Sequence, residues 1–387
     1  GISSSTMHID KAFISDRIDL LEENQFVELR FSFPALDEWL HLSGAKVNLN
    51  LGEEGKFLGV KIDYTPPEKR NFKLPKDMEL EFNFNSTIPT NFGAVETKIT
   101  QKAFVSIRSA SSVPLDELLE VASYIRDFFS LCTGTNIVFE IVEGYLGEKE
   151  SQVKGIDRNK QVKVYYESAP RVPPNRIVNR HAMLLNFSNF DGKFEKAIGQ
   201  WIGEYSEIAP AIDSYFSSVS GSYSRLEGRY IALVQGIETL HRRQMQEPVM
   251  ADEKYRGIVK DMLECVPSSV MQHFRNRLAY GNEPTLLSRI QEVFCENFQF
   301  FKFDGFKKEY CRLVVDTRNF FTHYDQKLEG RAAKDLELYR LCLNFEALYV
   351  FIFLRNLGFS DTDIQSLLDH STSLKHKLIP PGRFVGK

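Results

Sequence analysis

The chain is predicted to be an α+β protein, with an N-terminal β-rich domain that carries one packed helix and an all-α helical bundle after it. Three observations predict this. Apolar residues alternate with period two through most of the first 170 positions. One stretch of helical period interrupts them at 115–134. From about Phe194 to the end the apolar spacing is helical throughout. The expected division is a β-rich domain over 1–170, a linker over 171–193 and a helical domain over 194–387; a chain of 387 residues has room for two domains.

Strands are expected at 26–33, 46–51, 57–63, 78–84, 104–109 and 161–168, each with alternating apolar positions. Gly52-Glu53-Glu54-Gly55 lies between two of them and reads as a hairpin turn, while Thr65-Pro66-Pro67 and Ile88-Pro89 punctuate the rest. The helix at 115–134 places Leu118, Leu119, Val121, Ala122, Ile125, Phe128 and Phe129 at helical spacing, with Gly134 suited to its stop. Pro170, just before it, and Pro173 and Pro174 within it mark the linker. Helices are then expected at 194–218, 224–245, 252–264, 268–280, 284–298, 304–324, 332–357 and 361–369. The helix at 332–357 is apolar nearly all round (Leu336, Leu338, Leu341, Leu343, Phe345, Leu348, Phe351, Ile352) and reads as buried core. Ser360 and Asp363 read as a capping box for the last helix, which accounts for Asp361 and Asp363 without a metal.

Composition narrows the function. Lys+Arg 48 against Asp+Glu 52 leaves a net charge of −4, too little asymmetry to draw nucleic acid or anionic lipid by bulk attraction. Residues 1–190 carry all of that charge and the helical half sums to zero. An RNA partner, if there is one, is therefore engaged locally and briefly rather than along many phosphates. Five cysteines with no C-x-x-C pair read as reduced, buried thiols of a cytoplasmic protein. No stretch is apolar for long enough to span a bilayer, the longest run being Ala347–Leu354. No signal peptide opens the chain, and GISSST reads as a cleavage scar or a truncated start. The N-x-S/T triplets at Asn85 and Asn186 read as chance matches.

Nucleotide loops, zinc-protease and nucleophile-elbow motifs are lacking, and Gly52–Lys56 joins two strands rather than opening a helix. No cofactor or metal is expected. One segment carries chemistry: VVDTRNFFTHYD, 314–325, with Arg318, Asn319 and His323. A His of near-neutral pKa moves protons, an Arg grips phosphate with two parallel N–H groups, and an Asn orients either partner. Arg176 and His181 repeat the spacing but lack the polar neighbour, and they read as structural.

On a helix, Phe306, Tyr310, Leu313, Val314, Thr317, Phe321 and Tyr324 form the expected core stripe. Asn319 and His323 lie together on the outer side near Asp316 and Arg312. Arg318 is about 140° round from His323, so the two flank an outward side that also carries Val315 and Cys311. An outward face with apolar residues invites a partner, and two copies of the helix meeting there would build a composite site. The same residues read equally as a solvated helix face with Asp316 in a surface ion pair. Glu238 and Arg242 are an i,i+4 pair, which reads as helix support or as a supporting group near His323. Glu238, His241, Asp316, Thr322 and Tyr324 are the supporting candidates.

VVDTRNFFTHYDQKL resembles the C-terminal helix of Apea-like HEPN domains. RYIALVQGIETLHRR (229–243) resembles their first long helix and RNRLAYGNEPTLLSRIQEVF (275–294) their middle. The N-terminal half, including Leu36-Asp37-Glu38-Trp39-Leu40, is similar to the β-rich domain that precedes HEPN in Apea-like proteins, with its first strands expected further upstream. The resemblance implies a helical bundle that dimerises and a metal-independent endoribonuclease leaving a 2′,3′-cyclic phosphate and a 5′-hydroxyl. Its site would be Arg318, Asn319 and His323. The resemblance also implies a role in bacterial abortive infection against phage, with a phage-derived or small-molecule trigger acting at the N-terminal domain. A non-catalytic HEPN module for dimerisation or nucleotide binding is the alternative, and carbohydrate or peptide binding on the N-terminal sheet is a third reading.

Overall fold

The computed structural model describes residues 10–15, 25–87, 97–146, 161–166, 179–221, 223–245, 248–301 and 307–384. The Ile88-Pro89 turn, Arg176, Phe306 and the start of the linker lie outside the described residues. Packing divides the chain into two units, 1–205 with 356–358 and 206–355 with 359–387. The α+β class holds: a β-sheet region comes first and helices follow.

In the first unit, seven strands pair antiparallel in the order β1-β9-β8-β2-β7-β6-β5. These are β1 (Lys11–Ile14), β2 (Gln25–Ser32), β5 (Arg70–Leu74), β6 (Met78–Thr87), β7 (Thr100–Pro114), β8 (Ile141–Leu146) and β9 (Gln161–Tyr166). A separate ribbon joins β3 (Ala45–Leu51) to β4 (Phe57–Tyr64) around the Gly52–Gly55 turn, where Glu54 and Gly55 both take positive φ. The sequence pattern misses β1, β5 and β8, which are short. In β8 the apolar alternation is broken by Gly144, whose place a Cβ could not take because it would come 2.5 Å from the Phe26 ring.

Register turns alternation into a core. Leu29, Ile107 and Leu80 line up across β2, β7 and β6, and Phe31, Val105 and Phe82 form the next row, all fully buried. Helix α2 (Leu115–Thr133) covers that face with Leu118, Val121, Ala122, Ile125, Phe128 and Phe129, and ends at Gly134 in the left-handed conformation. Each of these side chains other than Ala122 contributes about 1.5–3 kcal/mol on leaving water. Trp39, on the short helix α1 (Leu36–Leu40), stands at the centre of Phe82, Phe128, Phe129, Phe187, Phe190 and Phe194, with ring centroids 4.9–6.4 Å away. Helix α3 (Phe194–Gly203) belongs to this packing through Phe194 and through Trp201, whose indole N–H donates to the Tyr124 carbonyl at 2.9 Å.

The second unit is helical. The single helix expected over 194–218 is two, α3 and α4 (Tyr205–Val219), interrupted at Glu204. Pro210 lies inside α4 without breaking it. The N–H that proline lacks would have met the carbonyl of Ser206, which instead accepts from Arg243 Nη1 at 2.6 Å. Helices α5 (Leu226–Gln244), α6 (Asp252–Glu264), α7 (Met271–Leu278), α8 (Leu286–Cys295), α9 (Lys307–His323), α10 (Asp335–Asn356), α11 (Asp361–His370) and α12 (Thr372–Lys377) follow, the last unforeseen. The capping box at Ser360 and Asp363 is formed as expected.

Helix α10 is the core. Leu338, Leu341, Phe345, Leu348 and Phe351 are buried, but Leu336 in its first turn is exposed, against the all-round apolar reading. Tyr349 donates to the Leu233 carbonyl at 2.7 Å, and a Cβ at Gly236 would lie 2.2 Å from the Tyr349 hydroxyl, so glycine at 236 leaves room for that hydroxyl against α5. Glu346 is buried between Arg229 and Lys377, with Ser218 donating to it at 3.0 Å. All five cysteines are free thiols. Cys132, Cys311 and Cys342 are buried as expected, whereas Cys265 and Cys295 are exposed. Among the described residues, no helix is long and apolar enough to cross a membrane.

Candidate active site

Helix α9 packs on α5 and α8 through Tyr310, Cys311, Leu313, Val314, Thr317 and Phe320. This stripe is turned slightly from the expected one. Phe320 rather than Phe321 is buried, Tyr324 is exposed beyond the helix end, and Cys311 faces inward instead of outward. The turn follows from the anchors. Tyr230 of α5 donates to the Val314 carbonyl at 2.8 Å, Tyr310 reaches Asn344 of α10, and Thr317 accepts from the Ala333 backbone at 2.8 Å. Burial drives the Tyr230 and Tyr310 phenols far above their ordinary pKa and lifts the Cys311 thiol to about 12, so all three are neutral packing groups.

Arg318, Asn319 and His323 lie on the rest of the helix surface. Arg318 is half-buried; its Nη1 donates to Asn319 Oδ1 at 3.1 Å and its Nη2 is 3.8 Å from Glu238 Oε2 on α5. Asn319 thus orients the Arg rather than the His. His323 is the last residue of α9, and its exposed ring makes no hydrogen bond or ion pair among the described residues. Tyr324 then leaves the helix with φ 51°, and its exposed ring ends the segment.

The supporting candidates divide. Glu238 touches Arg318, and it also meets Arg242 at 3.3 Å, as the i,i+4 reading expects. Asp316 pairs with Arg331, at 2.9 Å from Nε and 2.5 Å from Nη2, the surface ion pair also foreseen. Thr322 donates back to the Arg318 carbonyl at 2.8 Å, within the helix. His241 is buried away from solvent. Arg289 Nη1 lies 3.1 Å from its Nδ1, and since a guanidinium only donates, the ring proton sits on Nε2, 2.6 Å from Glu292. No contact joins His241 to His323 among the described residues.

Sequence reasoning did not find Glu283, Arg289 or Glu292. They come from α8 and the turn before it. Arg242 Nη1 meets Glu283 at 2.6 Å, and Arg289 lies 3.6 Å from the same carboxylate, so charge alternates from Arg289 through Glu283, Arg242 and Glu238 to Arg318, with His241 and Glu292 bonded to the Arg289 end. Burial, with help from neighbouring Arg242, pulls the Arg289 guanidinium below its ordinary pKa. No local spacing encodes these contacts; only the packing of α5 on α8 makes them.

Arg318 can therefore present the free part of a pre-oriented guanidinium to a phosphate, and His323 can give or take a proton in solvent. The family model described as ApeA N-terminal domain 1 matches residues 1–201, and that described as Apea-like HEPN matches residues 231–363. No curated protein and no solved structure matches the chain.

Proposed function

From the premise that this chain belongs to the Apea-like HEPN family, with an ApeA N-terminal domain followed by a HEPN domain, we propose that it is a metal-independent endoribonuclease acting in bacterial defence against phage. HEPN domains commonly cleave RNA and typically dimerise. The observation that carries the reading is the pair of contrasting environments in one motif: Arg318 is held by Asn319 and Glu238, while His323 is exposed and engages no partner among the described residues.

The reaction that fits is internal. A ribose 2′-hydroxyl attacks the adjacent phosphorus, its proton passes to one imidazole, and the 5′-oxygen leaves with a proton from a second. The products are a 2′,3′-cyclic phosphate and a 5′-hydroxyl. The nucleophile belongs to the substrate, so no metal-activated water is required. Arg318 stabilises the charge gathering on the phosphoryl oxygens. Arg318 and His323 are about 140° apart on one helix, so the site is read as a composite of two copies of α9, with Asn319 setting the Arg and Glu238 setting it from behind. Cytoplasmic action and a phage-derived or small-molecule trigger at the N-terminal domain belong to the same reading.

The test is RNA-end sequencing and a cleavage assay on wild type beside His323→Ala and Arg318→Ala. Each variant should lose on the order of 100-fold or more in cleavage rate, the scale of a lost acid–base or oxyanion-stabilising group, and should melt like wild type. Undiminished cleavage in both variants overturns the reading. No cleavage by any form, with nucleotide binding seen by calorimetry, replaces it with the non-catalytic alternative.

A further inference from the structure

The β3–β4 ribbon departs from the rule that builds the rest of the first unit. Val47 stands opposite Ile62, Leu49 opposite Val60 and Leu51 opposite Phe57. Directly opposed residues share a face, so these six side chains form one continuous apolar surface. Lys46 with Asp63, Asn48 with Lys61, and Asn50 with Gly59 form the other. The apolar surface is in solvent, with exposure running from 50% at Val60 to 62% at Leu49 and Phe57. Leu58, 59% exposed, lies over Gly52 beside the turn.

The ribbon is tied down at its base. Thr65 N–H donates to the Gly44 carbonyl at 3.0 Å, Gly44 N–H to Gln101 Oε1 at 3.0 Å, and Gln101 Nε2 to the Leu42 carbonyl at 2.7 Å. A lone two-stranded ribbon is marginally stable in water, and the alternation of β3, matched by β4 up to the register shift at Leu58, is the pattern of a strand with one buried face.

We propose that a second copy of this chain covers the surface, ribbon on ribbon, apolar face to apolar face about a two-fold axis. Area supports it: six apolar side chains, each about half exposed at roughly 100 Å², offer on the order of 600 Å² per copy, about three-quarters of the ~800 Å² that each partner gives to a stable interface. Charge supports it as well. The apolar face carries no ionised group, so two identical faces meet without like-charge repulsion, and Lys46, Lys61 and Asp63 point the other way. Within the ribbon, Lys46, Lys56 and Lys61 balance Glu53, Glu54 and Asp63, so nothing draws it to an anionic lipid surface. The contact is independent of the pairing read for the helical domain and does not rest on ribonuclease activity.

Sedimentation equilibrium on the full chain tests it, comparing wild type with Leu49→Lys/Val60→Lys and with Asn48→Lys on the polar face. Wild type should associate at roughly 50 μM, and the double variant should halve the assembly mass or raise the dissociation constant roughly 100-fold. Circular dichroism and melting should stay as in wild type, because the substituted side chains are exposed, and Asn48→Lys should behave as wild type. Halving from four copies to two, or from two to one, supports the contact equally. Equal masses for wild type and double variant overturn it, as does a monomeric wild type. Ribbon-dependent co-sedimentation with lipid vesicles, without self-association, overturns it in favour of a membrane surface.

Discussion

Two carboxylates of the helical unit each sit between two cations, and the difference between them separates a structural charge from a poised one. Glu346, on α10, is 2% exposed and held by Arg229, Lys377 and Ser218. Glu238, on α5, keeps 19% of its side chain exposed and meets Arg242 at 3.3 Å and Arg318 at 3.8 Å. The composition is the same, one Glu with two cations. Burial decides the role. At Glu346 the carboxylate itself cannot relax into water, so the cluster fastens the C-terminal segment to the core. At Glu238 solvent screens the contacts, so Arg318 is oriented but can still turn, as the proposed phosphate contact requires.

The comparison breaks most visibly at Glu346. Glu346→Ala leaves Arg229 and Lys377 without their counter-ion and should lower stability by about 3–5 kcal/mol in urea denaturation; a loss under about 1 kcal/mol would place this cluster in the same class as Glu238. Acid gives a smaller effect. Burial opposes the charge of Glu346, but Lys377 and Arg229 outweigh it and hold its pKa below the ordinary value of 4.5. The unfolded chain then binds the proton more readily, so the stabilisation is complete above that ordinary value and is lost as pH falls through the folded pKa. Urea midpoints measured downward from pH 7 should therefore drop more steeply below about pH 4.5 in wild type than in Glu346→Gln.

Glu238→Ala should be the mildest change for the fold, within about 1 kcal/mol of wild type. Cleavage is where it sharpens the contrast: with Arg318 no longer braced, kcat should fall roughly 10-fold with KM little changed. Glu238→Gln keeps an acceptor for the guanidinium and should recover most of that loss. An equal loss in both variants would show that charge, not orientation, is what Glu238 supplies.

Residues close in sequence made much of this legible. The helix over 115–134 ends at Gly134, and Ser360 and Asp363 cap their helix, because capping and period are set within a few positions. Arg318, Asn319 and His323 stand out for the same reason. The exact face of α9 was not legible. Its stripe turns from Phe321 to Phe320 and takes Cys311 inward because tyrosines and a threonine fasten it to α5, α10 and the Ala333 backbone. Nor was the short strand β8, where Gly144 interrupts the alternation to make room for Phe26.

Local sequence by itself determined the α+β class and the motif, since periodicity, turn chemistry and short spacing act over a few residues. Only the tertiary structure decided which side chains are held and which are free. It brought Glu283, Arg289 and Glu292 into one chain of charge with Arg318, buried His241 while leaving His323 in solvent, and left the apolar face of the β3–β4 ribbon uncovered. Those outcomes depend on burial and on contacts between residues far apart in the chain, and neither quantity exists until the chain has folded.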